Sequence, residues 1–225
     1  MIDFYLFPSP NAWKVSIMLE ECMLSYQIKV VDITQNRQFD PEFLKVSPNN
    51  RIPAIVDHDA QGGEQSVFES GAILLYLAEK TGRFLSRTGP SRVAALEWLF
   101  WQVGGLGPMG GQAHHFLRYK AGESSYATER YTKECSRLYS VLDRRLNGRD
   151  WIADDYGIAD MACWGWIWFH RMHGQELPRF PNVERWFFEM ARRPAVQRGK
   201  AVALDVVPDS LREMLDRPYF EAPVA

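Results

Sequence analysis

The sequence has 225 residues, of which 46% are hydrophobic and 13% aromatic, so it can form a large buried core and is not a disordered chain. Its 26 basic and 28 acidic residues leave a net charge of −2, which favours neither nucleic acid nor an anionic membrane as a partner. A small molecule is therefore the expected ligand.

The cysteines and the hydropathy pattern indicate a cytoplasmic protein. Cys22, Cys135 and Cys163 are too few and too scattered for a disulfide framework, and they suit a reducing compartment. The sequence shows no leader peptide and no apolar run of about 18 residues. Neither export nor a membrane span is expected.

The chain opens with an α/β pattern. Ile2, Phe4 and Leu6 alternate with other residues before a Pro-Ser-Pro turn, which predicts a short strand. A helix is predicted from Asn11, its expected N-cap, because apolar residues then recur at helical spacing. Residues 26–33 are rich in β-branched side chains and predict a second strand, far enough from the first for a right-handed βαβ crossover.

A hairpin and a helix complete this region. The predicted elements are a polar loop (34–40), a helical turn (41–44), a strand (51–56), a short strand (66–68) and an apolar helix (72–80). Pro53 has no amide hydrogen, so it belongs at the start or the edge of its strand. Thr81 and Gly82 end the helix.

The character of the sequence changes after Gly82, because no later segment shows strand alternation. Helices are predicted at 91–102 and beyond, 126–146, 158–170, 183–192 and 195–204. The expected organisation is an α/β domain at 1–82, a linker at 83–90, an all-helical domain at 91–204 and a tail at 205–225.

The order of elements in the first domain is the thioredoxin-type arrangement, whose functional region lies where Pro53 faces the start of the first helix. A redox protein of this type would carry Cys-x-x-Cys there. This sequence instead has Ser9-Pro10-Asn11-Ala12. The protein supplies no thiol at that position, so any thiol chemistry requires a thiol that a ligand brings.

Several runs of residues carry a family resemblance that covers residues 1–204. They are Ser9-Pro10-Asn11, SPNNRIPAIVDH at 47–58, FESGAILLYL at 68–77 and WLFWQVGGLGPM at 98–109. These runs resemble the cytosolic glutathione transferases, and in particular the Nu class of disulfide-bond oxidoreductases, which is related to a fungal nitrogen regulator. The resemblance implies a thioredoxin-like domain with an all-helical domain, a homodimer, and glutathione as co-substrate without a metal.

The resemblance also implies which residues bind glutathione. They are Gln38, Ile52, Pro53, Glu69, Ser70 and, from the other subunit, Arg130, which reaches the glycyl end. Glu69 offers a carboxylate to the γ-glutamyl ammonium, and Ser70 at a helix start offers donors to the neighbouring carboxylate. Ile52 would pair its backbone with the cysteinyl main chain, as one added strand residue does. In this family the proline that corresponds to Pro53 is cis.

Ser9 and Asn11 are the expected catalytic residues. A thiol with a pKa of about 8.5 is mostly protonated at pH 7, so a site that uses thiolate must lower that pKa. Ser9 and Asn11 lie at the amino end of the first helix, where a hydroxyl, a side-chain amide and backbone N–H groups can stabilise a sulfur anion. The Nu class usually has Thr at the position of Ser9. No tyrosine matches the activating tyrosine of other classes, since Tyr5 belongs to the strand.

The reaction itself has alternatives at this stage. We expect bound glutathione, as thiolate, to attack a disulfide, and a second glutathione to resolve the mixed disulfide. The same residues could serve conjugation of glutathione to an electrophile or reduction of an organic peroxide. A non-enzymatic glutathione-binding regulator is the alternative from another class.

Other motifs suggest structural roles. His114-His115 and His170-x-x-His173 lack the further ligands of a familiar metal site, so no metal is expected. The glycines between Gly104 and Gly111 indicate close helix packing or an opening over the site. Gly157 stands where the family usually has a Ser or Thr helix cap, at a cost of a few tenths of a kcal/mol.

Overall fold

The computed structural model describes residues 1–216, which form two compact units. One unit contains residues 1–83 and the segment that starts at Arg193, and the other contains residues 84–192. The strands are β1 (Ile2–Leu6), β2 (Tyr26–Val30), β3 (Ala54–Asp57) and β4 (Gln65–Phe68). No helix within the described range is both long and apolar enough to cross a membrane.

The helices run through both units. They are α1 (Pro10–Cys22), α2 (Pro41–Val46), α3 (Ser70–Thr81), α4 (Gly89–Trp101), α5 (Gly107–His114), α6 (Ser125–Leu146), α7 (Ile158–Ile167), α8 (Pro181–Arg192), α9 (Pro194–Ala201) and α10 (Asp209–Asp216). Most of the predicted helices are present, with ends that differ by a few residues.

The first unit contains a four-stranded mixed sheet in the order β2-β1-β3-β4. β1 and β2 are parallel, whereas β3 is antiparallel to both β1 and β4. This is the predicted βαβ unit followed by a hairpin. The side chains of Phe4 and Ile55 in the sheet are fully buried. Trp13 on α1 and Leu74 on α3 are buried as well.

Three local predictions in this unit need correction. Asn11 is not the N-cap of α1: Ser9 caps the helix, because Pro10 takes the first helical position, where no amide donor is needed. The second strand ends at Val30, and the residues that follow form short 3₁₀ turns at Ile33–Gln35 and Arg37–Phe39 instead of an open loop.

The C-terminal segment from Arg193 packs on α1, although the sequence pattern suggested that 195–204 belongs to the helical domain. A Cβ atom on Gly199 would lie 2.7 Å from the backbone N and Cα of Ile17, so only glycine allows this approach. Ser16 Oγ donates to the Gly199 carbonyl over 2.6 Å, and Arg193 pairs with Glu21 over 2.7 Å. Close backbone contact, which hydrophobic periodicity does not report, therefore decides where α9 packs.

The expected tail is partly helical. Part of the segment predicted as a tail at 205–225 forms α10, which includes the buried Leu215. Residues 217–225, the rest of that prediction, lie outside the described residues.

The second unit is a helical bundle around α7. Nearly every residue of α7 is buried, as its apolar sequence predicts. α6 buries one stripe that includes Cys135, Leu138 and Leu142. Trp164, one of the two tryptophans on α7, is buried and stacks on Phe187 of α8 with 5.7 Å between ring centroids, so it belongs to the core.

The stretch from Gly89 to Tyr119 alternates between α-helix and π-helix. α4 is followed by a π-helical segment at Gln102–Leu106, and α5 by another at His115–Tyr119. A Cβ atom on Gly110 would lie 3.1 Å from the ring of His173 and 3.2 Å from Trp166. For the glycines between Gly104 and Gly111 the sequence suggested either close helix packing or an opening over the site. Close packing explains Gly110.

The amino end of α7 depends on Asp160, which is fully buried. Its Oδ2 accepts from Gly157 N over 3.0 Å, and its Oδ1 accepts from Ile152 N over 3.0 Å and from Trp186 Nε1 over 2.8 Å. The burial raises the pKa of Asp160 to about 6. One carboxylate thus joins α7, α8 and the segment that precedes them.

We predict that Gly157→Ser lowers stability, even though serine is a better helix cap. A Cβ atom at this position would lie 2.6 Å from the carbonyl oxygen of Phe84. Overpacking costs about 1–3 kcal/mol, whereas a serine cap improves on glycine by only a few tenths. Thermal unfolding of the wild type and the variant measures the net effect of the clash and the new cap on stability. A higher Tm for the variant would contradict the prediction.

Candidate active site

The strand register brings three predicted segments to one end of the sheet. Tyr5 pairs with Ala54, so continuing the register by one residue brings Pro53 beside Leu6, close to the start of α1. Ala54 also pairs with Phe68, so Glu69 follows on the other side of Pro53. The starts of α1 and α3 therefore flank the Ile52–Pro53 segment. The Ile52–Pro53 peptide bond is cis, as the family resemblance implied.

The amino end of α1 presents donors that an anion can use. Ser9 is extended, and its Oγ accepts a hydrogen bond from Ala12 N over 3.2 Å. A hydroxyl that accepts in this way can still donate its own proton. Asn11 is a half-buried residue of the first turn, and this turn contains no acidic side chain. The positive end of the helix dipole is thus left for a bound anion.

Glu69 lies between β4 and α3 in a rare backbone conformation. Its φ is +69° and its ψ is +118°, a region that residues other than glycine seldom adopt. The side chain is exposed, and its Oε1 accepts from Asn49 Nδ2 over 3.3 Å. Strain of this kind is concentrated at functional positions, which supports a role for this carboxylate beyond folding.

Ser70 is the first residue of α3 and is 7% exposed. Its Oγ accepts a hydrogen bond from the Lys14 ammonium over 3.2 Å. Lys14 belongs to α1 and is only 2% exposed. A buried lysine therefore connects the two helices that begin at this end of the sheet.

Gln38 lies in the second 3₁₀ turn after β2. Because β1 and β2 are parallel, this segment leaves the sheet at the same end as the start of α1. Within residues 1–216 the Gln38 Oε1 atom is buried and has no hydrogen-bond partner. No contact in the described part of the chain joins Gln38 to the other predicted site residues.

Arg130 is in the second unit, on the exposed side of α6. It lines a groove of about 790 Å³ with other residues of α6 and with Gly104, Gly105 and Met109. Lys133 and Arg137 in this groove form ion pairs with Glu129 and Glu134. The Arg130 side chain is exposed and is not in a close ion pair with any carboxylate among the described residues, although its charge helps to lower the pKa of the nearby Glu134. The guanidinium can therefore still contact a ligand.

The thiols of the chain itself are poor nucleophiles. Cys22, Cys135 and Cys163 are free and buried. Burial raises the pKa of Cys22 and raises that of Cys135 to about 12. A thiol with a raised pKa stays protonated and unreactive at neutral pH.

Tyr5 and His173 are unsuited to an acid–base role at neutral pH. Burial and the nearby Asp3 carboxylate raise the pKa of Tyr5, so its phenol stays protonated. Burial lowers the pKa of His173 to about 3, and its Nδ1 lies 3.1 Å from the Tyr139 hydroxyl. Within residues 1–216 no group of His, Cys, Asp or Glu side chains is arranged to hold a metal ion.

The sequence-based site missed two residues that the structure adds. Asn49 contacts Glu69, and it stands in a run that was noted only for its family resemblance. Lys14 lies in a helix that the apolar residues predict, and that pattern assigns no role to a lysine. A lysine three residues after Asn11 is the signal that could have identified it, because side chains at this spacing share a helix face.

Comparison with protein families matches both units. Residues 2–79 match the N-terminal domain of glutathione S-transferase, and residues 111–194 match its C-terminal domain. The chain is 52% identical to the disulfide-bond oxidoreductase YfcG of Escherichia coli over 198 residues, which cover 87% of this chain and 92% of YfcG. It is 38% identical to the disulfide-bond oxidoreductase YghU of the same organism over 236 residues, which cover 98% of this chain and 82% of YghU.

A solved structure shows the same similarity. A glutathione transferase from Pseudomonas putida, crystallised with one glutathione disulfide per subunit, superposes with a TM-score of 0.86 at 42% identity. The match covers 90% of this chain and 91% of that one. These findings confirm the predicted resemblance and the predicted fold class of a thioredoxin-like domain with an all-helical domain. The chain belongs to the glutathione S-transferase family.

Proposed function

We propose that this protein is a glutathione-dependent disulfide-bond oxidoreductase. The observation that carries the proposal is the amino end of α1, which offers hydroxyl, amide and N–H donors to a sulfur anion where the chain has no thiol of its own. The names of the relatives YfcG and YghU and the disulfide bound by the Pseudomonas putida enzyme support it. Glutathione is then the co-substrate, and no metal takes part.

The proposed reaction is two thiol–disulfide exchanges. The thiolate of bound glutathione attacks one sulfur of a disulfide, forms a mixed disulfide with it and releases the other sulfur as a thiolate, which takes up a proton. A second glutathione thiolate then attacks the mixed disulfide. Glutathione disulfide and the second substrate thiol leave, so two glutathiones are oxidised for each disulfide reduced.

Each proposed site residue has a role in this scheme. Ser9 and Asn11 stabilise the thiolate, Glu69 binds the γ-glutamyl ammonium, and Ser70 binds the adjacent carboxylate. Ile52 and Pro53 hold the cysteinyl backbone, while Gln38 contacts the rest of the peptide main chain. The supply of reduced glutathione suits a cytoplasmic protein.

We predict that Asn11→Ala lowers kcat for reduction of hydroxyethyl disulfide about 10-fold, since a hydrogen bond to a charged group contributes at least about 1.5 kcal/mol. The pKa of the bound glutathione thiol should rise by about one unit, which a pH profile of thiolate absorbance measures. Asn147→Ala is the matched control, because Asn147 is an exposed asparagine in the second unit.

Two further assays test the reaction class. Chlorodinitrobenzene and cumene hydroperoxide with glutathione measure conjugation and peroxidase activity, which we expect to be minor. Disulfide reduction should persist when Cys22, Cys135 and Cys163 are all replaced by Ala. Absence of disulfide reduction, or its loss in the triple variant, would refute the proposed mechanism; glutathione binding without any of these activities would indicate a regulator.

We also infer that the protein is a homodimer, in which Arg130 reaches the glycyl carboxylate of glutathione in the partner subunit. Its exposed guanidinium supports this role, and the exposed Val93 and Phe100 on α4 give the second unit apolar surface for a partner. Arg130→Ala should raise KM for glutathione about 10-fold and leave the dimer intact. Sedimentation velocity measures the assembly, and a monomeric wild type would exclude this role.

A further inference from the structure

Lys14 is a buried cation in α1. It lies in α1 between the buried residues Trp13 and Val15, and it is 2% exposed. Lysine is rarely this buried unless its ammonium has partners, because removing an ammonium from water costs several kcal/mol. One of the partners of Lys14 is the Ser70 hydroxyl.

The Lys14 ammonium controls the direction of the Ser70 hydroxyl. An ammonium can only donate, so in the 3.2 Å contact the Ser70 oxygen is the acceptor. The hydroxyl proton of Ser70 must therefore point elsewhere, and no acceptor for it is found within residues 1–216. This leaves a polarised donor unused at the first residue of α3, where the helix dipole also favours a negative group.

Lys14 is also close in sequence to the thiolate site. It follows Asn11 by three residues on α1, so both side chains lie on the same helix face. Its charge thus lies between the starts of α1 and α3, and both helix ends favour an anion. A ligand carboxylate at the start of α3 would therefore meet a hydroxyl that this cation orients.

We propose that Lys14 is a positioning residue for the glutathione γ-glutamyl group, which holds Ser70 as a hydrogen-bond donor to the α-carboxylate of that group. The inference rests on the proposed function, because it assumes that glutathione occupies this end of the sheet. Lys14 does not itself touch the ligand carboxylate in this scheme. It acts through Ser70.

The test is a double-mutant cycle on glutathione binding, measured by isothermal titration calorimetry. The variants are Lys14→Met, Ser70→Ala and the double variant, with Lys45→Met as the control because Lys45 is exposed. Lys14→Met should weaken glutathione binding about 10- to 100-fold. The double variant should bind glutathione about as weakly as Ser70→Ala alone, and additive losses would contradict the proposal.

A glutathione analogue without the γ-glutamyl α-carboxylate, 4-aminobutyryl-cysteinyl-glycine, separates positioning from general structural damage. Lys14→Met should bind this analogue nearly as well as the wild type does. In the disulfide reductase assay the variant should show a raised KM for glutathione and a kcat within about threefold of the wild type. Circular dichroism verifies the fold, and Lys14→Gln provides the same comparison if the methionine variant is unfolded.

The outcomes distinguish this inference from the proposed function. If the wild type does not bind glutathione, the proposed function fails and the inference fails with it. If the wild type binds but Lys14→Met binds equally well, only the inference fails. It also fails if the variant loses affinity for glutathione and for the analogue to the same extent.

Discussion

Replacing Asp160 with Ala is expected to lower the free energy of unfolding by about 3–5 kcal/mol, because it leaves three buried donors without their acceptor at about 1–3 kcal/mol each. The donors are Ile152 N, Gly157 N and Trp186 Nε1, which lie 2.8–3.0 Å from the carboxylate. Urea unfolding followed by circular dichroism measures the loss. Asp150→Ala is the matched control, because Asp150 is 86% exposed in its ion pair.

The pH dependence of stability provides a second test of the role of Asp160. Burial raises the pKa from the ordinary 3.8 to about 6 in the folded protein, so the ionised form is the more costly one there. The stabilising contribution of this group is therefore complete below about pH 4 and is lost as the pH rises through about 6. The difference in free energy of unfolding between the wild type and Asp160→Asn should therefore decrease as the pH rises from about 4 to about 6. A constant difference would mean that the carboxyl does not titrate there.

Replacing Glu69 with Gly is expected to raise KM for glutathione about 100-fold while it raises the Tm. The variant loses the carboxylate for the γ-glutamyl ammonium, a hydrogen bond between two charged groups. Glycine adopts φ of +69° without penalty, whereas glutamate at this angle is strained by about 1–3 kcal/mol. Binding and stability should thus change in opposite directions, as measured by initial rates and by thermal unfolding.

Asp154→Gly provides the matched control for Glu69→Gly. Asp154 also has a φ of +69° and is exposed, but it lies in the second unit, on the loop before α7. Its replacement should raise the Tm without changing KM for glutathione. If Glu69→Gly binds glutathione as the wild type does, Glu69 is not the γ-glutamyl contact and the orientation proposed for the ligand is wrong.

Most of the secondary structure could be predicted from the sequence, because hydrophobic periodicity and turn residues report local conformation directly. β1, α6 and α7 begin within one residue of their predicted starts. The cap of α1 was misassigned, because Ser9 and Asn11 are both good caps and only the position of Pro10 decides between them. The packing of α9 on α1 depends on the Gly199 carbonyl, which accepts from Ser16, and on an approach to the Ile17 backbone that leaves no room for a Cβ atom. Hydrophobic periodicity encodes neither.

The candidate site was predicted by resemblance more than by pattern. The strand registers bring Pro53 and Glu69 side by side, which follows from a topology that the sequence did suggest. The contact between Lys14 and Ser70 joins residues 56 positions apart, and it depends on a side chain that helical patterns treat as solvent-exposed. The strained φ of Glu69 has no signature in the sequence, because glutamate is not a residue that this conformation favours.

The return of the chain to the first unit at Arg193 makes that unit discontinuous in sequence. A fragment cut at residue 83 would contain the four strands of the sheet and the proposed γ-glutamyl contacts, yet it would lack α9. The backbone of Ile17 and the hydroxyl of Ser16 would then lose the glycine that covers them, on the helix that also carries Ser9, Asn11 and Lys14. The first 83 residues, which hold the proposed γ-glutamyl contacts, are therefore not an excisable module. The packing of their first helix is completed only after the other unit has been synthesised.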